Sequence, residues 1–258
     1  MSIIFLPFLV CLSLVFIHVY FGSFVLRRGI IFIDLALAQW AALGYLIGHW
    51  MDIHHPVSLF IFSFGFTVIA SIALTLLKPL YHKNNLQEAV IGTLYIAANA
   101  GAIGLISYTG MEGHQLQEML TGHLLFINVQ EVLAAYGLYV VIALICVKCH
   151  TYFINAHSRA WDFIFYLLFG LVVTSSVKLV GILLVFSYLV LPLLCIVINK
   201  KSFSQQLMTG WLIGIVASVI GMGVSFLMDI PPSIAIILVL MGCWGVSILI
   251  HFQLSKSN

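Results

Sequence analysis

Only eight acidic and ten basic side chains occur among 258 residues, so few groups can do ionic chemistry. Asp34 stands out, because it lies inside an apolar run, Ile33-Asp34-Leu35-Ala36-Leu37-Ala38-Gln39-Trp40-Ala41-Ala42-Leu43-Gly44. A charged side chain at mid-membrane costs about 2.5–3.5 kcal/mol on insertion scales, so one that is retained there is a functional-site candidate. Two other roles stay open for it at this level: pairing with Arg27 or Arg28, about two turns earlier, or capping a helix. His18 precedes the same Arg27–Arg28 turn, at a depth within roughly 6 Å of Asp34 at 1.5 Å per residue. It is either a second site residue or a satisfied packing histidine.

Two further segments are rich in metal-ligating types. One holds His49, Asp52, His54 and His55; the other holds Glu112, His114, Glu118 and His123. Imidazole with carboxylate suits zinc, manganese or ferrous iron, and His49 and His55 are taken as candidate metal contacts. Neither spacing matches a closed structural zinc site, and solvation of interfacial loops accounts for the same residues. Cys146-Val147-Lys148-Cys149-His150 has the spacing of a c-type haem attachment. Lys148 nevertheless puts it at the cytoplasmic end of a span, the wrong side for attachment, and two free cysteines beside a basic anchor are the simpler reading. Cys11, Cys195 and Cys243 show no disulfide pattern. No GxxxxGK[ST] loop is present, so ATP-driven work needs a partner.

The elements that position these groups follow from composition. Hydrophobic residues make up 63% of the chain and charged ones 7%, against about 25% charged in a soluble domain. The outer surface therefore meets lipid, and a separate soluble enzymatic domain or a nucleic-acid-binding one is excluded. Continuous apolar runs of about 20 residues imply helices rather than barrel strands. Spans are expected at 3–25, 30–48, 57–77, 88–108, 130–147, 161–177, 179–198, 207–228 and 232–250. The fold class is all-α, a polytopic transmembrane helical bundle, with residues 1–258 forming a single transmembrane domain.

Basic residues collect on the cytoplasmic side. A nine-span path with the N-terminus outside and the C-terminus in the cytoplasm puts nine of the ten Lys and Arg inside. Lys178, between the sixth and seventh spans, is the exception. Merging 161–198 would leave eight spans and move Lys200, Lys201 and Lys256 outside, so nine are preferred, with a kinked or re-entrant element near Lys178 left open. The first span lacks a basic leader segment and is expected to remain in the mature protein. Gly44 with Gly48, and Gly210 with Gly214 and Gly221, are spaced for close helix contact, within the chain or between two copies. Asp229-Ile230-Pro231-Pro232 reads as a turn.

Several of these segments resemble bacterial metal-importing ABC permeases, the membrane subunits of zinc, manganese and iron importers. Leu26-Arg27-Arg28-Gly29 through Gln39 is similar to the entry into that family's second span. Phe165 through Phe186, continuing to Leu191-Pro192, resembles its Val-Gly-x-Leu-Leu-Val…Pro segment. Glu88-Ala89-Val90-Ile91-Gly92 and Asp229-Ile230-Pro231-Pro232-Ser233 are similar to the starts of its fourth and last spans. The likeness runs across most of the chain as an ordered set. Many members place a histidine shortly after the second-span aspartate, where this chain has Ala38 and Gln39, so only Asp34 carries over cleanly. The segment 149–160, with Thr151, Asn155 and Arg159, stands where members carry the helix that couples to an ATPase, although its sequence differs from theirs.

The resemblance implies a permease subunit in the bacterial cytoplasmic membrane that carries a divalent ion and performs no covalent chemistry itself. Two copies would form the pathway, cytoplasmic ATPase subunits would drive it, and an external metal-binding protein would deliver the ion. Zinc is expected ahead of manganese or iron, because His49, His54, His55, His114 and His123 supply neutral imidazole. No covalently bound cofactor is expected. An ion-coupled secondary transporter is the alternative within transport, but no internal repeat supports it. A membrane haem or respiratory subunit is the alternative from another class.

Overall fold

The computed structural model describes residues 2–84, 86–109, 122–154, 158–197 and 202–256. Among them are nine α-helices and no strand: α1 Ser2–Arg28, α2 Ile33–Trp50, α3 Pro56–Asn84, α4 Gln87–Thr109, α5 Val129–Ile154, α6 Arg159–Val180, α7 Ile182–Val197, α8 Phe203–Met228 and α9 Pro232–Lys256. A single 3-10 turn, Leu124–Phe126, precedes α5. Each of the nine expected spans has its own helix, although the expected 179–198 span begins in the last two residues of α6, ahead of the break at Gly181. Seven are long and apolar enough to cross a membrane. The other two are α2, with 18 residues that include Asp34, and α7, with 16.

Local sequence accounts for the helix ends. Gly29 adopts φ 64° just beyond α1, a left-handed conformation that glycine reaches without steric cost, and Arg27 and Arg28 occupy the last turn. At the start of α5, the Asn128 side chain accepts from Glu131 N at 2.9 Å while Glu131 accepts from Asn128 N at 3.2 Å. Ser202 and Gln205 form the same reciprocal cap on α8. That helix ends at Asp229 in the left-handed conformation, and Pro232 opens α9 where a missing N–H costs nothing.

The expected junction near Lys178 is a break of one residue. α6 stops at Val180, Gly181 turns at φ 83°, and α7 begins at Ile182. Lys178 itself is exposed. Gly122 lies directly against the break: a Cβ there would meet the Val180 carbonyl carbon at 2.2 Å. His123 N also donates to the Leu179 carbonyl at 3.2 Å. Gly122 and His123 therefore cover backbone that the break would leave bare.

The chain divides into two compact units. One comprises Met1–Leu26, Thr121–Val140 and Leu179–Asn258; the other comprises Arg27–Leu120 and Val141–Lys178. In the first, α7, α8 and α9 pack on one another. Polar groups there find partners within the unit: the buried Tyr188 and Ser218 hydroxyls meet at 2.6 Å, and the half-buried Tyr136 donates to the Leu9 carbonyl at 2.8 Å. In the second, α2 packs on α3 and α4.

The small-residue pairs are contacts within the chain. Gly44 and Gly48 face Phe66, Leu59 and Phe62, while Gly210, Gly214 and Gly221 face Val19, Val15 and Ile236. Large apolar side chains such as Leu76, Ile96, Val147 and Leu227 are exposed instead. That distribution suits a surface solvated by lipid.

Candidate functional site

The second unit carries a polar stripe within its largely apolar interior, on one face of α3. Ser63, Thr67, Ser71 and Thr75 recur every four residues and are all buried. At helical pitch they share one face. Ser63 donates to the Ala41 carbonyl of α2 at 2.7 Å, and the Thr67 and Thr174 hydroxyls meet at 2.9 Å. On α6, Gly170 admits Thr67 at a spacing that a Cβ would cut to 2.6 Å. This four-residue hydroxyl repeat was legible in the sequence, and it marks the face that α3 turns toward its neighbours.

Asp34 lies in the first turn of α2 and is completely buried. Neither carboxylate oxygen has a hydrogen-bond partner among the described residues. The N-terminus of α2 carries no side-chain cap, so the capping alternative does not hold. Pairing with Arg27 or Arg28 does not hold either, because neither Asp34 oxygen has a partner among the described residues, and the Arg28 guanidinium is engaged elsewhere. Arg28 Nη1 donates to Asp162 Oδ1 at 3.3 Å, Nη2 donates to the Phe153 carbonyl at 2.8 Å, and Cζ lies 4.3 Å from the centroid of the Phe165 ring. Lys78 of α3 donates to the other carboxylate oxygen of Asp162. A buried anion without a partner is costly, whereas a cation at Asp34 would offset that cost.

The cluster about Asp162 was not legible as a site. Asp162 sits at the head of a span, where a carboxylate reads as solvation, and its partners are remote in sequence. The usable signal was an acidic residue three positions into an apolar helix, a place that calls for a counter-ion. Glu88 was likewise read only as a segment start. Its Oε1 accepts from Ile31 N at 2.7 Å, tying the α1–α2 turn to α4, and its Oε2 has no partner among the described residues.

The other candidates are placed as follows. His18, in the first unit, is buried and donates through Nδ1 to the Leu14 carbonyl at 2.9 Å. His49 closes α2 and stacks on Tyr45, with the His54 ring 5.7 Å away. His54 Nε2 lies 3.6 Å from Asp52 Oδ1, both exposed. His55 is exposed beside them. His123 lines a largely apolar cleft of about 690 Å3 with Pro7, Asp229 and Pro231. Glu112, His114 and Glu118 lie outside the described residues, as does Asn155. Among the described residues no three His, Cys, Asp or Glu side chains gather as a metal-holding group.

Thr151 and Arg159 are exposed at the facing ends of α5 and α6. Tyr152 stacks on Trp161 at 4.3 Å between those ends, and Phe153 meets Phe165 edge-on at 5.6 Å. Cys146 and Cys149 lie within α5 without a disulfide, Cys146 buried.

Comparison with known proteins finds relatives that match almost the whole chain. The chain is 22% identical over 253 residues to a protein of Chlamydia trachomatis named as a metal transport system membrane protein, covering 92% of this chain and 85% of that one. The fold is similar to that of PsaBC from Streptococcus pneumoniae, solved in complex with Fab. The TM-score is 0.78 at 18% identity, over 98% of this chain and 94% of that one. It is also similar to a structure described as an inward-facing conformation of a metal-chelate type ABC transporter. There the TM-score is 0.69 at 17% identity, over 95% and 86% of the two chains. The model of one protein family, the ABC 3 transport family, matches residues 2–251. This multi-pass membrane protein belongs to the ABC 3 transport family, as the ordered motifs of its sequence had indicated.

Proposed function

We propose that this chain is the permease subunit of an ATP-driven importer of a divalent metal ion, zinc ahead of manganese or iron. It works in a bacterial cytoplasmic membrane with its N-terminus outside and its C-terminus inside. Two copies form the pathway, a separate ATPase subunit drives it, and an external binding protein delivers the ion. The observation that carries this reading is the carboxylate of Asp34, fully buried and without a partner among the described residues, in a chain of this family. The names of its relatives support metal as the cargo.

Asp34 is the ion contact on the pathway, where an anion lowers the desolvation barrier for a divalent cation. His49 and His55, with His54, present imidazole at one end of α2 and suit first capture of zinc. His18, held through Nδ1 on the Leu14 carbonyl, is a further candidate contact. Thr151, Asn155 and Arg159 belong to the segment that docks on the ATPase. That segment joins two helices whose ends are held together by aromatic stacking, so a push on it moves both.

Uptake of radioactive zinc and of manganese into vesicles holding the full complex tests the reading. Zinc uptake that depends on ATP and falls at least ten-fold in Asp34→Asn is expected. Undiminished uptake in that variant removes the pathway role, and uptake of manganese alone removes the zinc assignment.

A further inference from the structure

The segment that joins α5 and α6 is gripped at both of its ends by one side chain. Arg28 donates to the carbonyl of Phe153 in the last turn of α5. With its other amino group it takes the carboxylate of Asp162 in the first turn of α6, and its flat face covers Phe165 one turn on. Asp162 is held from a second side by Lys78 of α3, and its side chain is only 2% exposed.

Arg28 is also the last residue of α1. After it come Gly29 in the left-handed conformation, the turn that Glu88 anchors through Ile31 N, and then Asp34 in the first turn of α2. Polar contacts therefore tie Phe153 near the end of α5 and Asp162 at the start of α6 to Arg28, and six residues of backbone lead from Arg28 through the Glu88-anchored turn to Asp34. Each link lies within the same compact unit.

We propose that Asp162 is a positioning residue for transport: through Arg28 and Lys78 it transmits movement of the α5–α6 connection to the α1–α2 turn and so to Asp34. This deepens the function proposed above and rests on it. The role needs a carboxylate, because one acceptor group must hold two cations from two helices at once. Asparagine retains the shape, loses the charge, and offers a single acceptor oxygen. Arg28 likewise acts through its fork: a lysine at 28 retains the charge but cannot span the Phe153 carbonyl and the Asp162 carboxylate in a fixed plane.

The test measures ion uptake and ATP hydrolysis together in vesicles holding the complete complex, with thermal unfolding in detergent in parallel. Asp162→Asn is expected to fold, to hydrolyse ATP, and to move about ten-fold less ion per ATP, while Asp162→Glu recovers most of the coupling. A purely structural role would lower the melting temperature or the yield and leave ion moved per ATP unchanged. A folded Asp162→Asn complex with wild-type ion per ATP overturns the proposal. Where that variant does not fold, Arg28→Lys decides by the same ratio. A wild-type complex that moves no metal with ATP overturns the function reading and this proposal with it, whereas a coupled wild type lets the variant speak for the proposal alone.

Discussion

Arg28 and Asp162 are 134 residues apart in sequence and meet at 3.3 Å, and that meeting leaves Asp34 alone. The arginine closest to Asp34 along the chain turns instead toward α5 and α6. Two buried aspartates thus have opposite surroundings. One is held by two cations, and the other has no partner among the described residues. The contrast gives them opposite responses to the same substitution.

Asp162→Ala should destabilise the protein by about 2–4 kcal/mol, since removing one partner of a buried pair strands the other. The lower part of that range is expected, because Arg28 and Lys78 keep 18% and 26% of their side chains exposed and water can partly solvate them. Lys78→Ala should cost about 1 kcal/mol or less, since Arg28 remains on the carboxylate. Thermal unfolding in detergent separates the two.

Asp34→Asn should leave stability unchanged or raise it, by up to about 2 kcal/mol, because no pairing is broken and a buried charge is deleted. Transport should fall while the melting temperature holds. A loss of more than about 1 kcal/mol in the same unfolding assay would reveal a partner for Asp34, and the pathway role would lose its support.

Gly22→Ala should cost about 1–3 kcal/mol by overpacking. A Cβ at position 22 would lie 2.0 Å from the Leu189 carbonyl oxygen, and that atom belongs to α7 backbone, which cannot swing aside. Gly137→Ala is the control. It meets nothing within 4 Å, so the better helix propensity of alanine should add about 0.5–1 kcal/mol. Paired melting curves of the two variants check both signs.

The proposed orientation is tested by cysteine labelling in intact cells. Ser204 and Pro231 are exposed near opposite ends of α8, and neither makes the Ser202–Gln205 cap. A membrane-impermeant thiol reagent should label Pro231→Cys and spare Ser204→Cys until the membrane is opened. The reverse pattern would invert the topology. Ser233 is a poor probe because its side chain is buried.

What the sequence determined by itself is whatever depends on neighbours along the chain. Nine apolar runs became nine helices, because backbone groups in lipid must pair within their own segment. The Asp229–Pro232 turn formed where it was read, since proline and a left-handed aspartate act locally. The isolation of Asp34 was half legible: an acidic residue in an apolar run announces burial, but not what surrounds it.

Tertiary structure decided the rest. It gave Arg28 to Asp162 and Lys78 to the same carboxylate, on a residue that the sequence did not single out. It turned the glycine pairs inward, onto Val15, Val19 and Phe66 of the same chain, where spacing alone allowed a second copy. The physical reason is common to both. Hydropathy and turn chemistry are properties of consecutive residues, whereas the partner of a charge, or of a bare helix face, is fixed only when distant helices come within a few ångströms.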